Sequence, residues 1–134
     1  MNPAIEGGCL CGGVRYRLEE APWALNDCHC IDCRRSSGAP FVTWGTVKRE
    51  RLKLLSGEVR KIPHADRVRS FAACCGTHLF FEDAPDAEAL DVTIASLDVP
   101  TPFAPRFAIW TEDRLPWVRL DESRPAYRRS SREE

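Results

Sequence analysis

The chain has 134 residues, a formal net charge of −1 and 29% charged residues. That length suits one domain with its own core, and the balanced charge offers no global field to attract nucleic acid or a membrane surface. No apolar run reaches spanning length, and the first residues lack the basic and apolar regions of a signal peptide, so a cytoplasmic protein without a membrane partner is expected. In a reducing compartment the seven cysteines point to metal or catalysis rather than disulfides. Ten Pro, eight Gly and short apolar runs predict a mainly β single domain of small antiparallel sheets.

Residues 1–6 read as a loose terminus. Cys9-Leu10-Cys11 follows, between Gly7-Gly8 and Gly12-Gly13. Glycine lets a backbone wrap tightly about an ion and aim amide N–H groups at sulfur. Val14 to Leu18 alternates apolar and basic residues, which predicts a half-buried strand with Val14, Tyr16 and Leu18 inward and Arg15 and Arg17 solvated. Pro22 and Trp23 mark a turn, and residues 24–27 form a short strand that delivers Cys28.

Cys28-His29-Cys30-Ile31-Asp32-Cys33 is the centre of the chain, with three thiols in the spacing C-x-C-x-x-C. Thiolate is a preferred zinc ligand, and a zinc with three protein ligands keeps its fourth position for water or substrate. The other reading is a structural knuckle whose fourth ligand comes from elsewhere. Alternation turns His29 away from Cys28 and Cys30, so it is read as a non-ligand. Arg34 and Arg35 offer forked donors to a substrate carboxylate, beside the small polar turn Ser36-Ser37-Gly38. Two solvated arginines after a loop are the alternative.

Phe41 to Val47 is rich in β-branched and aromatic residues and predicts a strand. Residues 51–55 and 59–62 predict two more, separated by a turn at Ser56-Gly57, and 63–66 a loop with His64 in solvent. Arg67 to Ala72 alternates into the third thiol group, Cys74-Cys75-Gly76-Thr77-His78. A Cys before a Gly at a tight turn is the pattern of half a zinc knuckle. His78 begins a strand to Phe81 and reads as a polar strand-edge residue before a ligand. Asp83 to Leu90 is an acidic loop or a short helical turn, Leu90 to Leu97 a core strand, and 99–105 an extended connection with three prolines. Phe107 to Trp110 is the last strand, and Trp117-Val118 packs a turn. The tail from Arg124 mixes Arg, Ser and Glu and is expected to be solvated and frayed, giving a domain over 1–123 and a tail over 124–134.

Taken together, Gly8-Cys9-Leu10-Cys11-Gly12-Gly13, the run from Cys28 to Pro40, and Cys75-Gly76-Thr77 resemble the glutathione-dependent formaldehyde-activating enzyme family, which includes centromere protein V. The resemblance spans about residues 7–118. It implies a fold similar to the methionine sulfoxide reductase B type, built around zinc knuckles. It implies one structural zinc on a C-x-C pair joined by a later C-x-x-C pair, and a second zinc on the three-thiol cluster, linked to glutathione and its formaldehyde adduct. Cys9, Cys11 and Cys75 match the first site. Cys28, Cys30 and Cys33 match the second and are the expected catalytic residues. Arg34, Arg35, Ser37 and Gly38 are the expected substrate contacts.

Two positions depart from the family pattern. Ala72 stands where F-C-x-x-C-G-T has its first thiol, so the fourth structural ligand is Cys74, His78 or a water, or the site is empty. Adjacent side chains diverge in an extended backbone, so Cys74 and Cys75 reach one ion only from a tight turn. Ala108 stands where related sequences often carry His before Ile-Trp. The activity implied is a zinc-dependent carbon–sulfur lyase with one or two zinc ions. It forms or breaks S-(hydroxymethyl)glutathione from a glutathione-type thiol and an aldehyde. The alternative is a non-catalytic zinc module that binds glutathione or a protein partner. The centromere relative raises nucleic-acid binding, against which the balanced charge argues, and Cys74-Cys75 raises a redox role.

Overall fold

Short stretches of alternating or β-branched residues recur along the chain, and a computed structural model describing residues 4–131 turns them into two sheets. Strands β1 (Ile5–Gly8), β2 (Arg15–Leu18) and β5 (Leu52–Ser56) form an antiparallel sheet in the order β1-β2-β5. The larger sheet contains β3 (Trp23–Cys28), β4 (Val42–Lys48), β6 (Val59–His64), β7 (Arg67–Ala72), β8 (His78–Glu82), β9 (Ala89–Thr93) and β10 (Phe107–Ile109). Its order is β10-β3-β4-β9-β8-β7-β6, antiparallel throughout except that β10 runs parallel to β3. The mainly β single domain expected from composition is the fold found. Among the described residues no helix is long and apolar enough to cross a membrane.

The main core joins the two sheets. Val14, Tyr16 and Leu18 from the smaller sheet and its approach meet Leu25, Val47, Leu79, Phe80, Leu90 and Val92 from the larger one. Tyr16 packs edge-on to Phe80, and its hydroxyl meets Ser96 Oγ at 2.6 Å, which satisfies a polar group that burial would otherwise penalise. Full burial of each large apolar side chain is worth roughly 1.5–3 kcal/mol, so this larger of the two cores contributes strongly to folding. Gly45 is needed for close packing, because a Cβ there would come within 2.7 Å of Ile94 and 2.8 Å of Pro22. Along β4, Val47 joins this core while Val42 and Trp44 face a second, smaller one. That second core contains Cys28, Cys33, Val42 and Trp44, flanked by Phe81, Ile109 and Trp110. It is the floor of the three-cysteine cluster.

Several expectations are corrected in detail. The turn expected after Cys33 is a helix, α1 (Ile31–Ser37), closed by Gly38 at φ 69. Strand β6 runs on through Pro63 to His64; it is an edge strand, where a missing N–H leaves no ladder bond unmade. The strand expected over 90–97 stops at Thr93, and Ile94–Ser96 is a 3-10 turn. The tail does not fray over its described length. Ala108 N–H donates to the Pro125 carbonyl at 3.0 Å, Tyr127 N–H donates to the Ala108 carbonyl at 2.9 Å, and Trp110 N–H reaches the Arg129 carbonyl at 3.0 Å. Among the described residues, most side chains from Asp121 onward are solvent-exposed. Residues 1–3 and 132–134 lie outside the described range.

Candidate metal centres

The first cluster is made by two turns, one from each sheet. Cys9 and Cys11 follow β1, and Cys74 and Cys75 lie between β7 and β8. The four Sγ atoms lie within 4.8 Å of one another. Cys11 is 3.2 Å from Cys74, and Cys9 is 3.6 Å from Cys74 and 3.8 Å from Cys11. Four sulfurs at about 2.3 Å from a tetrahedral zinc would sit about 3.8 Å apart, so the donor set fits that ion. Gly13 is part of the cradle, since a Cβ there would meet Cys74 Sγ at 3.0 Å and Cys11 Sγ at 3.4 Å. The Val14 N–H reaches Cys9 Sγ at 3.2 Å and lowers that thiol's pKa. The Thr77 hydroxyl, 3.3 Å from Cys75 Sγ, brings the Cys75 thiol down to about 5. Hydrogen bonding to Cys11 pushes Cys74 the other way, up to about 12.

Convergence of the adjacent Cys74 and Cys75 depends on the tight turn that the sequence required. Gly76 N–H bonds back to Ala72 C=O at 2.8 Å, and Gly76 takes φ 81, where a side chain would be strained. Cys74 is therefore the fourth sulfur. Ala72 is 2% exposed and belongs to the main core. His78 is not a member of this cluster: its ring stacks on Phe71 with centroids 4.6 Å apart and meets Trp44 edge-on at 5.2 Å. Nor is it a solvated edge residue, because both ring nitrogens are buried without a partner, and burial followed by nearby Arg69 lowers its pKa to about 4.

The second cluster is Cys28, Cys30 and Cys33, again with sulfurs within 4.8 Å of one another. Cys28 ends β3. Cys30 is the N-cap of α1, and its sulfur accepts the Cys33 N–H at 3.2 Å. One turn of helix then brings Cys33 round to the same side, which is how C-x-C-x-x-C aims three sulfurs together. Cys28 and Cys33 are buried and Cys30 is half-buried, so the cluster lies between sheet and helix.

Two side chains from the sheet complete its surroundings, and the sequence had not singled out either. Trp44 Nε1 donates to Cys33 Sγ at 3.4 Å. Arg69 Nη2 lies 4.0 Å from the same sulfur, Nη1 donates to Ser36 Oγ at 3.3 Å, and the guanidinium sits over Phe81 at 4.7 Å. Hydrogen bonds from Cys28 and Cys30, then from Trp44, and the charge of Arg69 take the Cys33 thiol down to about 3. Donation to Cys30 and Cys33, together with burial, pushes Cys28 upward. The available signal for Arg69 was parity: on β7 it shares a face with Phe71, opposite Val68, Ser70 and Ala72.

The expected substrate contacts fall in different places. Arg34, Arg35 and Gly38 line an open groove of about 340 Å³ with Ala39, Pro40, Leu115 and Trp117. Arg34 Nε is buried and unpartnered. Ser37 is not among the groove's residues; its hydroxyl donates to the Cys33 carbonyl at 2.7 Å and accepts from Ala39 N–H. His29 turns away from the sulfurs, as parity required. It is 1% exposed and lines a separate cavity of about 60 Å³ with Asp27, Phe41, Phe107 and Ala108.

Residues 4–113 match the family model described as glutathione-dependent formaldehyde-activating enzyme. The chain belongs to this family. A Halomonas elongata protein that carries the family's name is 24% identical over 131 residues, covering 87% of this chain and 81% of its own length. A crystal structure of a Rhodobacter sphaeroides protein shares the fold, with a TM-score of 0.57 and 19% identity over 90% of this chain and 98% of that one. For this member of the glutathione-dependent formaldehyde-activating family, two cysteine clusters that suit metal ions are therefore set in a mainly β domain.

Proposed function

We propose that the chain is a zinc-dependent carbon–sulfur lyase that joins a glutathione-type thiol to formaldehyde and separates them again. The observation that carries this reading is a mostly buried cluster of three cysteine sulfurs, Cys28 at the end of β3, Cys30 at the N-cap of α1 and Cys33 within it, on the helix whose Arg34 and Arg35 line an open groove. In the forward direction an S–C bond forms, the carbonyl π bond breaks, and the thiol proton ends on the new hydroxyl. No electrons are exchanged with a third molecule. Bound zinc would supply Lewis acidity that favours the ionised form of a thiol near neutral pH. Cys28, Cys30 and Cys33 are the residues that would hold it, and Cys9, Cys11, Cys74 and Cys75 would hold a structural zinc.

The chain's own contribution is positioning. Arg34 and Arg35 offer forked donors to a glutathione carboxylate, and the buried, unpartnered Nε of Arg34 lacks a partner that such a group would supply. Trp117, 70% exposed, gives the groove an apolar wall. Burial of Cys28 and Cys33 keeps bulk water from the sulfurs. One feature favours the alternative, a zinc module that binds glutathione without turnover: three thiolates outweigh the charge of one divalent ion and weaken it as a Lewis acid. Exchange NMR between free formaldehyde and its glutathione adduct separates the two. The metal-loaded protein should accelerate the exchange and lose that acceleration in Cys30→Ser. Saturable glutathione binding with an unchanged exchange rate would reject the lyase.

A further inference from the structure

We propose that Arg69 is the counter-charge of the three-cysteine site, a positioning residue that lets the site bind a metal and then accept a fourth, anionic sulfur. This rests on the metal reading above and adds a residue to it.

Three observations carry the assignment. First, Arg69 is 9% exposed, yet no described ion pair gives it a carboxylate. Its neighbour along the same strand, Arg67, pairs with Asp83 at 3.2 Å in solvent. A buried cation without an anion is costly, and proteins seldom keep one unless something nearby is negative. Second, the group nearest to filling that need is the cluster itself, because Nη2 lies 4.0 Å from Cys33 Sγ. Three thiolates around a divalent ion carry a net charge of −1, and a fourth makes it −2. One guanidinium at that distance makes the added negative charge acceptable in a mostly buried site. Third, the guanidinium is held on three sides, by the Phe81 face at 4.7 Å, by Ser36 Oγ at 3.3 Å and by the sulfur. A planar fork satisfies all three contacts, whereas an ammonium satisfies only part of them. Ser36 lies on α1, so Arg69 also ties strand β7 to the helix that presents Cys33.

The test uses cobalt(II) as the metal probe and glutathione as the thiol, on wild type, Arg69→Gln, Arg69→Lys and Ser36→Ala, with Arg67→Gln as the exposed control. Affinity is measured by chelator competition, and the sulfur-to-cobalt charge-transfer band is recorded with and without glutathione. Arg69→Gln should weaken metal binding at the three-cysteine site by about 10–100-fold, the usual range for partners of metal ligands. It should also move the charge-transfer band to longer wavelength and raise the glutathione KM more than it lowers kcat. Arg69→Lys should recover part of the loss, Ser36→Ala should show a smaller one, and Arg67→Gln should show none. If Arg69→Gln unfolds, the Lys and Ser36 variants carry the same comparison. Wild-type cobalt affinity, spectrum and glutathione response in the Arg69 and Ser36 variants would overturn the proposal and leave the metal reading standing. A wild-type protein whose three-cysteine site takes up no cobalt would remove both.

Discussion

The two cysteine clusters solve different problems with the same donor atom. The four-cysteine cluster is on turns, with Cys11 and Cys74 exposed, and it is complete in its own sulfurs. Its surroundings add little beyond amide and hydroxyl groups: Val14 N–H at Cys9 and Thr77 Oγ1 at Cys75. The three-cysteine cluster is mostly buried, has fewer sulfurs, and is faced by an indole N–H and a guanidinium. A site closed by its own ligands can stand in solvent, because nothing further has to enter. On the reading proposed above, the three-cysteine site would manage the added charge of an incoming ligand in a mostly buried setting, with Trp44 and Arg69 of the sheet beside Cys33. The first cluster brings together residues 65 apart in the chain and from turns of the two sheets, so a metal held there would act as a staple.

That contrast can be broken most directly by removing one sulfur from each cluster. Cys9→Ser should lose one zinc per chain and lower the melting temperature by more than about 10 °C, since structural zinc binding is coupled to folding. Cys30→Ser should also lose one zinc but cost only a few degrees, roughly, while abolishing thiol binding. Metal analysis with calorimetry reads both, and equal melting losses would erase the distinction between staple and working site.

His78 lies between the clusters, on the strand that follows the four-cysteine turn and against Trp44 of the other core. Its imidazole titrates near 6.5 in the unfolded chain, but burial and then Arg69 lower the folded value to about 4. Its contribution to stability is therefore full above pH 6.5 and is lost as pH falls from there to 4. His78→Phe should remove that slope, worth on the order of 2 kcal/mol across the window. Denaturant titrations of both proteins at several pH values check it, and parallel pH profiles would refute it. A smaller effect is expected from Trp44→Phe, which keeps the packing but deletes the N–H at Cys33. Metal affinity at the three-cysteine cluster should drop by about tenfold, with the four-cysteine cluster unchanged. An unchanged competition curve would mean that the indole only packs there.

How far the sequence could be read depended on the range of each interaction. Strands over 14–18 and 67–72 were visible from period-two alternation and the one over 41–47 from its β-branched and aromatic residues, both local signals, and the structure places strands in each. Helix α1 was not, because its seven residues carry no apolar periodicity and its cap is a cysteine rather than Ser, Thr, Asp or Asn. The docking of the tail was equally hidden: its composition is that of a solvated segment, and what holds it is backbone pairing with β10.

Ligand type and spacing were written in the chain itself. Sulfurs two and three residues apart form chelates through a single turn, so Cys28, Cys30 and Cys33 declared themselves without any fold. The family followed from the order of the cysteine groups. Tertiary structure alone decided that Cys74 rather than Ala72, His78 or a water completes the four-sulfur cluster, because that choice hangs on one α-turn ending at Gly76. It also decided that Arg69, 36 residues beyond Cys33, is a buried cation beside its sulfur. Charge compensation acts through space, and no local pattern of residues records which distant strand will bring it.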